Sequence, residues 1–244
     1  IKNIINTFLF LRYLLLISII AFSAYLIIPK TFNLSKKKEI ISRSLLINYD
    51  IELIKYSKIS YLILPTPRIV LKKTSLNFKN NDGFADVNNL SLVIKLSDLY
   101  TKENFNIKLI ELNESIINVE INKLKKFLNT ISKIKKIILI NNSKLIIKND
   151  QKSLIKIASL NFNNYQDDLS LKGLLNGKKI ELKFVNKLEN NNFFVRIPSM
   201  GTNVDIIFDK ESNLKTYGGN VKSKILGNNL TPVAIRILSI NNLV

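Results

Sequence analysis

From Asp50 onward, apolar and polar residues alternate with a period of two. This alternation constrains the fold more than any other feature of the sequence. Leu90, Leu92, Ile94 and Leu96 interleave with Asn89, Ser91, Val93 and Lys95. Leu160 and Phe162, Leu169 and Leu171, Ile180, Leu182 and Phe184, and Val204, Ile206 and Phe208 follow the same rule. Side chains that repeat every second residue line one face of a strand, so each segment predicts a strand with one apolar and one polar face. Turn signals separate the segments: Asn80-Asn81-Asp82-Gly83, Asn141-Asn142, Asn149-Asp150, Asn176-Gly177, Glu189–Asn192 and Gly218-Gly219-Asn220. The connections are short, which predicts a mainly antiparallel meander.

Helical spacing is scarce. Asn122–Lys133 places Leu124, Phe127, Leu128 and Ile131 on one helical face. Thr231–Ser239, with Pro232 in its first turn, reads as a second short helix. A weak internal repeat relates Leu112–Val119 (LNESIINV) to Ile140–Ile147 (INNSKLII). Each copy reads as a strand end, an Asn-marked turn and a second strand. Any two such units in an Asn-rich chain share that likeness.

The N-terminus is different. Phe8–Ile28 (FLFLRYLLLISIIAFSAYLII) holds one charge, Arg12, and is closed by Pro29. Its length matches the roughly 20 apolar residues that cross a bilayer. Tyr13 and Tyr25 sit near its ends, as interfacial aromatics do. A buried helix of a soluble domain seldom lacks polar residues on every face. Ala21-Phe22-Ser23 offers a signal-peptidase site, but the apolar run continues past it, which favours an uncleaved anchor. Residues 1–30 are therefore expected to form a transmembrane anchor. Residues 31–49, which contain Ser35 as a candidate N-cap, form a short amphipathic helix or linker. Residues 50–244 form the β-rich domain. Lysines flank the span on both sides, and the positive-inside bias is weak; it leans toward a cytoplasmic C-terminal side.

Composition removes several functions. The 244 residues contain no His and no Cys. That excludes Cys nucleophiles, Cys/His zinc sites, His general bases and the Ser-His-Asp triad. The formal charge is +19, but nearly all of it is Lys scattered among Asn and Ile, with Arg only at positions 12, 43, 68, 196 and 236. Nucleic-acid readers favour Arg forks and clustered stripes, so no nucleic-acid partner is expected. Scattered Lys also suits anionic lipid headgroups. The carboxylates Asp82, Asp86, Glu111, Glu114, Glu120, Asp167, Asp168, Asp205 and Asp209 form no catalytic spacing. Asp167-Asp168 reads as a loop pair or solvated charge, because neighbours on a strand point to opposite faces. No Gly-rich phosphate loop or serine elbow is present. A non-enzymatic protein without cofactor or metal is expected.

These strands pose a covering problem. Their apolar rows must be buried against something. A sandwich or barrel would bury them in protein, whereas a long curved sheet would leave a groove for acyl chains. In the groove reading the contact residues are the same-parity rows Leu90, Leu92, Ile94, Leu160, Phe162, Ile180, Leu182, Phe184, Val204, Ile206 and Phe208. Ordinary core packing would place every one of them equally well.

The order of features resembles the start of AsmA-family proteins. The resemblance lies in the N-terminal span, a short helix, a strand, and then Tyr61-Leu62-Ile63-Leu64-Pro65-Thr66-Pro67-Arg68-Ile69-Val70-Leu71, a Pro-x-Pro followed by an apolar strand. It continues through Ala85–Leu99, Phe105–Val119 and Leu169–Phe184, covering roughly residues 1–185. The resemblance implies a single-pass anchor in the bacterial inner membrane, with the C-terminal domain in the periplasm. It implies a mainly β fold with a long, curved, taco-like sheet and a few short helices. It also implies a role in envelope and outer-membrane biogenesis, with phospholipid acyl chains held along the apolar groove. The alternative is a membrane-anchored scaffold that assists outer-membrane protein assembly and contacts other envelope proteins. Family members are commonly much longer, so this chain is expected to be a fragment or a short relative that does not bridge two membranes by itself.

Overall fold

The structure, a computed structural model, describes residues 2–79, 82–100, 105–150, 152–165, 168–186, 190–209, 216–225, 228–229 and 233–238. Helix α1 (Lys2–Ile27) leads through two 3₁₀ turns, Ile28–Thr31 and Leu34–Lys37, into α2 (Lys38–Tyr49). Strands β1 (Ile51–Lys55), β2 (Lys58–Leu62), β3 (Arg68–Phe78) and β4 (Phe84–Ile94) follow, then the short α3 (Ser97–Tyr100) and β5 (Ile107–Glu120). After α4 (Leu124–Lys133) come β6 (Ile137–Asn149), β7 (Lys152–Asn163), β8 (Leu169–Leu175), β9 (Lys178–Asn186), β10 (Asn190–Ile197) and β11 (Thr202–Asp209). The remaining strands are β12 (Thr216–Ile225), β13 (Asn228–Asn229) and β14 (Val233–Leu238). All join one 14-stranded sheet, which follows chain order almost throughout. The fold is mainly β, with a long, open, mostly antiparallel sheet and a few short helices, as the period-two pattern predicts.

Three local expectations are corrected. Val233–Leu238, expected as helix, is the strand β14 paired antiparallel with β12. Gly218-Gly219-Asn220 is no turn but the interior of β12, where Gly219 faces Phe208 and Ile235. Ser35 does not cap α2; it lies within the preceding 3₁₀ turn, and Lys37 occupies the N-cap without a side-chain bond. In contrast, Asn176-Gly177 forms the tight β8–β9 turn, with φ of 50° and 78°. That is the doubly left-handed pair that a two-residue hairpin requires.

One pair breaks the antiparallel rule. β5 and β6 run parallel, joined by the α4 crossover that a parallel pair needs. Their register matches the internal repeat residue for residue: Leu112 faces Ile140, Asn113 faces Asn141, Ile117 faces Leu145 and Val119 faces Ile147. Neither copy is a strand-turn-strand unit. Asn141-Asn142 is a bulge inside one continuous strand, and Glu114 occupies the matching place in β5, with φ of 46° at Asn142 and 54° at Glu114. Ser115 Oγ donates to Ser143 Oγ at 2.7 Å, and Ser143 Oγ donates to the Asn141 carbonyl at 2.9 Å, so the two buried hydroxyls stitch the copies together.

The bulge extends beyond this pair. Lys73 in β3 and Ser159 in β7 also take left-handed backbone, at φ of 46° and 48°. Paired residues flank these positions on every strand from β3 to β7: Lys72–Asn89 and Thr74–Val87, Asn89–Asn113 and Val87–Ser115, Ile140–Phe162 and Ser143–Leu160. A seam therefore crosses five adjacent strands. Bulges bend a strand and add an extra residue, so the buried parity changes at the seam. In β5, Ile110 and Leu112 face the core before it, and Ser115, Ile117 and Val119 face the core after it.

Past the seam, Gly173 of β8 faces Ile180. A Cβ there would lie 2.6 Å from Ile157 Cγ2 and 3.1 Å from the Ala158 carbonyl oxygen. Glycine thus lets the β7 bulge close against β8. Gly173→Ala is expected to cost about 1–3 kcal/mol by overpacking. Urea denaturation of the full chain measures it, and unchanged stability would show that β7 and β8 separate freely.

Candidate functional site

Register assigns every residue of the predicted apolar rows to a face. Leu92 pairs with Ile110, Ile110 with Ile138, and Ile140 with Phe162. Phe162 continues to Leu171, Leu182, Val195 and Val204. A neighbouring row runs Leu169, Phe184, Phe193, Ile206 and Val221. Directly opposed residues share a face. The sheet therefore brings Leu90, Leu92, Ile94, Leu160, Phe162, Ile180, Leu182, Phe184, Val204 and Ile206 onto one face. Phe208 joins them by backbone register, and its side chain lies outside the described residues.

That face has two environments. Leu90 and Leu92 are 0% exposed, Ile94 3% and Leu160 2%. They belong to one core cluster with Ile41, Leu45 and Tyr49 of α2 and with Phe127 and Ile131 of α4. The helices are fastened there. Ser44 Oγ accepts a bond from the Phe105 amide at 3.2 Å, the Tyr49 hydroxyl donates to the Ile107 carbonyl at 3.5 Å, and Phe127 meets Phe78 edge-on at 5.0 Å. Burial raises the pKa of Tyr49 above its ordinary value. Buried Asn164 holds the far side: its Oδ1 accepts from the Ile138 amide at 2.6 Å, and its Nδ2 donates to the Ile134 and Lys136 carbonyls.

The helices stop at that half. Packing of α2 is on β1 and β5, and packing of α4 is on β5. Ile180, Leu182, Phe184, Val204 and Ile206 are only half-buried, and so are Phe193, Val195 and Val221 on the same rows. Among the described residues, no α-helix makes more than marginal contact with β8–β11. Phe162 of β7 and Leu171 and Leu175 of β8 mark the margin, partly buried against the edge of the core.

The opposite face is mixed, with apolar residues such as Val93, Leu109 and Ile137 beside polar side chains that pair with one another. Arg68 Nη1 contacts Glu111 Oε2 at 3.0 Å, Ser75 donates to Asp86 at 2.7 Å, Asn88 donates to Glu114 at 2.7 Å, and Lys172 pairs with Glu181 at 3.1 Å. Asn141 donates to Asn113 at 2.9 Å across the parallel pair. A cavity of about 730 Å³ on this face is lined by Lys58, Arg68, Lys72, Glu111 and Asn113, among others. Asp82 is buried in the β3–β4 turn, and Asp168 approaches Lys183 at 4.0 Å. Asp167 lies outside the described residues. No group of three or more metal-ligating side chains occurs among the described residues.

One corner of the sheet meets α1. Residues Phe10–Thr31 form a segment long and apolar enough to cross a membrane; its most apolar 18 residues have mean hydropathy 2.2 and none of them is buried in the protein, whereas Pro29 near its end is. The Tyr25 ring stacks on Tyr100 at 4.8 Å, Phe32 packs edge-on against Tyr100 at 5.4 Å, and the Tyr100 hydroxyl donates to the Tyr25 carbonyl. Close by, Tyr61 is buried, and its pKa is raised by burial and by Tyr100 and Tyr25. Lys37 donates to the Leu99 carbonyl at 2.7 Å and lies over the Phe105 ring, and burial lowers its pKa. Sequence reasoning missed this aromatic clamp, because Tyr25 and Tyr100 are 75 residues apart.

Fold and face together define a β-rich protein with one apolar N-terminal helix and a two-faced open sheet. No protein family, curated protein or solved structure gives a significant match to the chain. The likeness to AsmA proteins rests on the order of sequence features alone.

The two environments predict unequal losses from the same kind of change. Leu92→Ala is expected to cost about 2–5 kcal/mol, since it opens a closed cavity. Leu182→Ala is expected to cost about 1 kcal/mol, the transfer cost of a half-exposed side chain. Equal losses in denaturant melts would mean that β8–β11 has a protein cover.

Proposed function

We propose that this protein is anchored in a membrane by α1 and binds phospholipid acyl chains on the apolar face of β8–β11. The observation that carries the reading is the unequal cover of one continuous face. Two helices seal its first half, and the second half presents Leu182, Phe184, Val195, Val204 and Ile206 half-buried. A contiguous apolar patch of this kind marks a binding surface. Acyl chains suit it better than a globular ligand, because the rows Leu171–Leu182–Val195–Val204 and Leu169–Phe184–Phe193–Ile206 run across four strands without a polar side chain. The helix supplies the source: α1 is apolar enough to lie in a bilayer and is clamped to the sheet through Tyr100. Scattered Lys on a +19 chain complements anionic headgroups at the rim.

The AsmA resemblance extends this reading to the bacterial inner membrane, with the sheet in the periplasm and a role in outer-membrane biogenesis. That placement and role belong to the proposal. The competing scaffold reading uses the same architecture with a protein covering β8–β11.

The test is photo-crosslinking of the full chain in detergent with a phospholipid that carries a diazirine on its acyl chain. Adducts are expected on β8–β11 and are expected to fall several-fold in a Leu182→Asp, Ile206→Asp variant with an unchanged circular dichroism spectrum. Adducts confined to α1 would reject the lipid surface and favour the scaffold.

A further inference from the structure

The loop between β2 and β3 is unusual for a water-facing turn. It follows Leu62, the last residue of β2, and begins with Ile63 and Leu64; Leu62 is 46% and Leu64 is 80% exposed. These three residues line one shallow cavity, of about 430 Å³, together with Ser23, Leu26, Ile27 and Lys30. The loop is therefore level with the last two turns of the apolar segment Phe10–Thr31, not below its end. The attachment is firm: Tyr25 stacks on Tyr100, and β2 packs against the 3₁₀ turn that follows α1.

From this geometry we infer that the β2–β3 loop is a second membrane contact, inserted into the same leaflet that α1 leaves. The inference rests on the proposal that α1 spans a membrane. If the helix lies across a bilayer, residues beside Ser23 and Ile27 share their depth, where apolar side chains are favoured and water is scarce. Leu64, the most exposed large apolar residue described, is then buried in lipid. Lys30 sits beside it at headgroup level, where a cation is attracted to anionic lipid. Two contacts fix an orientation that a single helix leaves free to swivel. They hold this corner of the sheet, and the apolar face that begins at Ile94, against the bilayer.

The chain has no Cys, so single cysteines can be introduced and labelled cleanly. Full-length Ile17→Cys, Leu64→Cys and Lys178→Cys proteins are labelled with the fluorophore NBD. Each is reconstituted into phosphatidylethanolamine–phosphatidylglycerol vesicles. Lys178, at the exposed β8–β9 turn, reports water. The Leu64 probe is expected to resemble the Ile17 probe: blue-shifted emission, quenching by doxyl-labelled lipid, and several-fold weaker quenching by iodide than at Lys178. A lipidic signal at Ile17 with an aqueous one at Leu64 would overturn the loop contact and leave the membrane span standing. Aqueous signals at both would overturn the span and the loop contact together.

Discussion

An extended sheet with one apolar face must remove that face from water, and most of this structure follows from how few elements are available to do it. Among the described residues, only α2 and α4 carry apolar stripes suited to the task, and both are short. Short connections at each end keep them close to the strands they join. Asp50 alone separates α2 from β1, and α4 is the crossover between β5 and β6. Neither helix extends to β8. The core therefore thins across β8, where Leu171 and Leu175 still pack against it, and Leu90, Leu92 and Leu160 sit deep in it while Leu182 and Val204 do not.

The seam of bulges is the second constraint. It crosses β3 to β7, the strands beneath the helices, and β8–β9 pair without a shift in register. Left-handed backbone at Lys73, Glu114 and Ser159 costs on the order of 1 kcal/mol or more each. The surrounding pairs hold it in place, most tightly at Ser115 and Ser143, whose hydroxyls are bonded in the core. The seam bends the sheet under α2 and α4, and the repeated serine and left-handed positions of β5 and β6 place the bend at the same height in both.

Much of this is legible in the sequence, and the failures have physical causes. Period-two alternation locates the strands and assigns the face correctly at Leu92, Phe162, Leu182 and Val204, because those segments lie between bulges. It misreads Asn141-Asn142 as a turn, since a bulge and a turn both demand left-handed backbone and Asn suits both. The internal repeat is visible as a pattern, but its meaning, a parallel pair in register, depends on a crossover that brings residues 28 positions apart side by side. Val233–Leu238 reads as helix because Pro232 suggests a first turn, yet pairing with β12 overrides that local preference. Sequence also could not separate core from open surface along one row. That distinction depends on where α2 and α4 lie, and alternation is silent on it.

Cover and attachment come from the same short stretch of chain. The segment that leaves α1 passes Phe32 and Leu34 into α2, so the helix that seals the core is also the one tied to the apolar span. Tyr100 follows β4, whose Leu90, Leu92 and Ile94 lie under that seal, and its ring stacks on Tyr25 of α1. Tilting α1 against the sheet would therefore disturb both the aromatic clamp and the packing of α2. The first half of the sheet is joined to the apolar helix through these contacts, and the half without helical cover extends from it strand by strand. Under the proposed function this arrangement separates two tasks: β1–β7 hold position at the membrane, and β8–β11 offer the surface. A protein that needed only an anchor would gain nothing from leaving that surface without helical cover, because half-buried apolar rows cost solubility unless something occupies them.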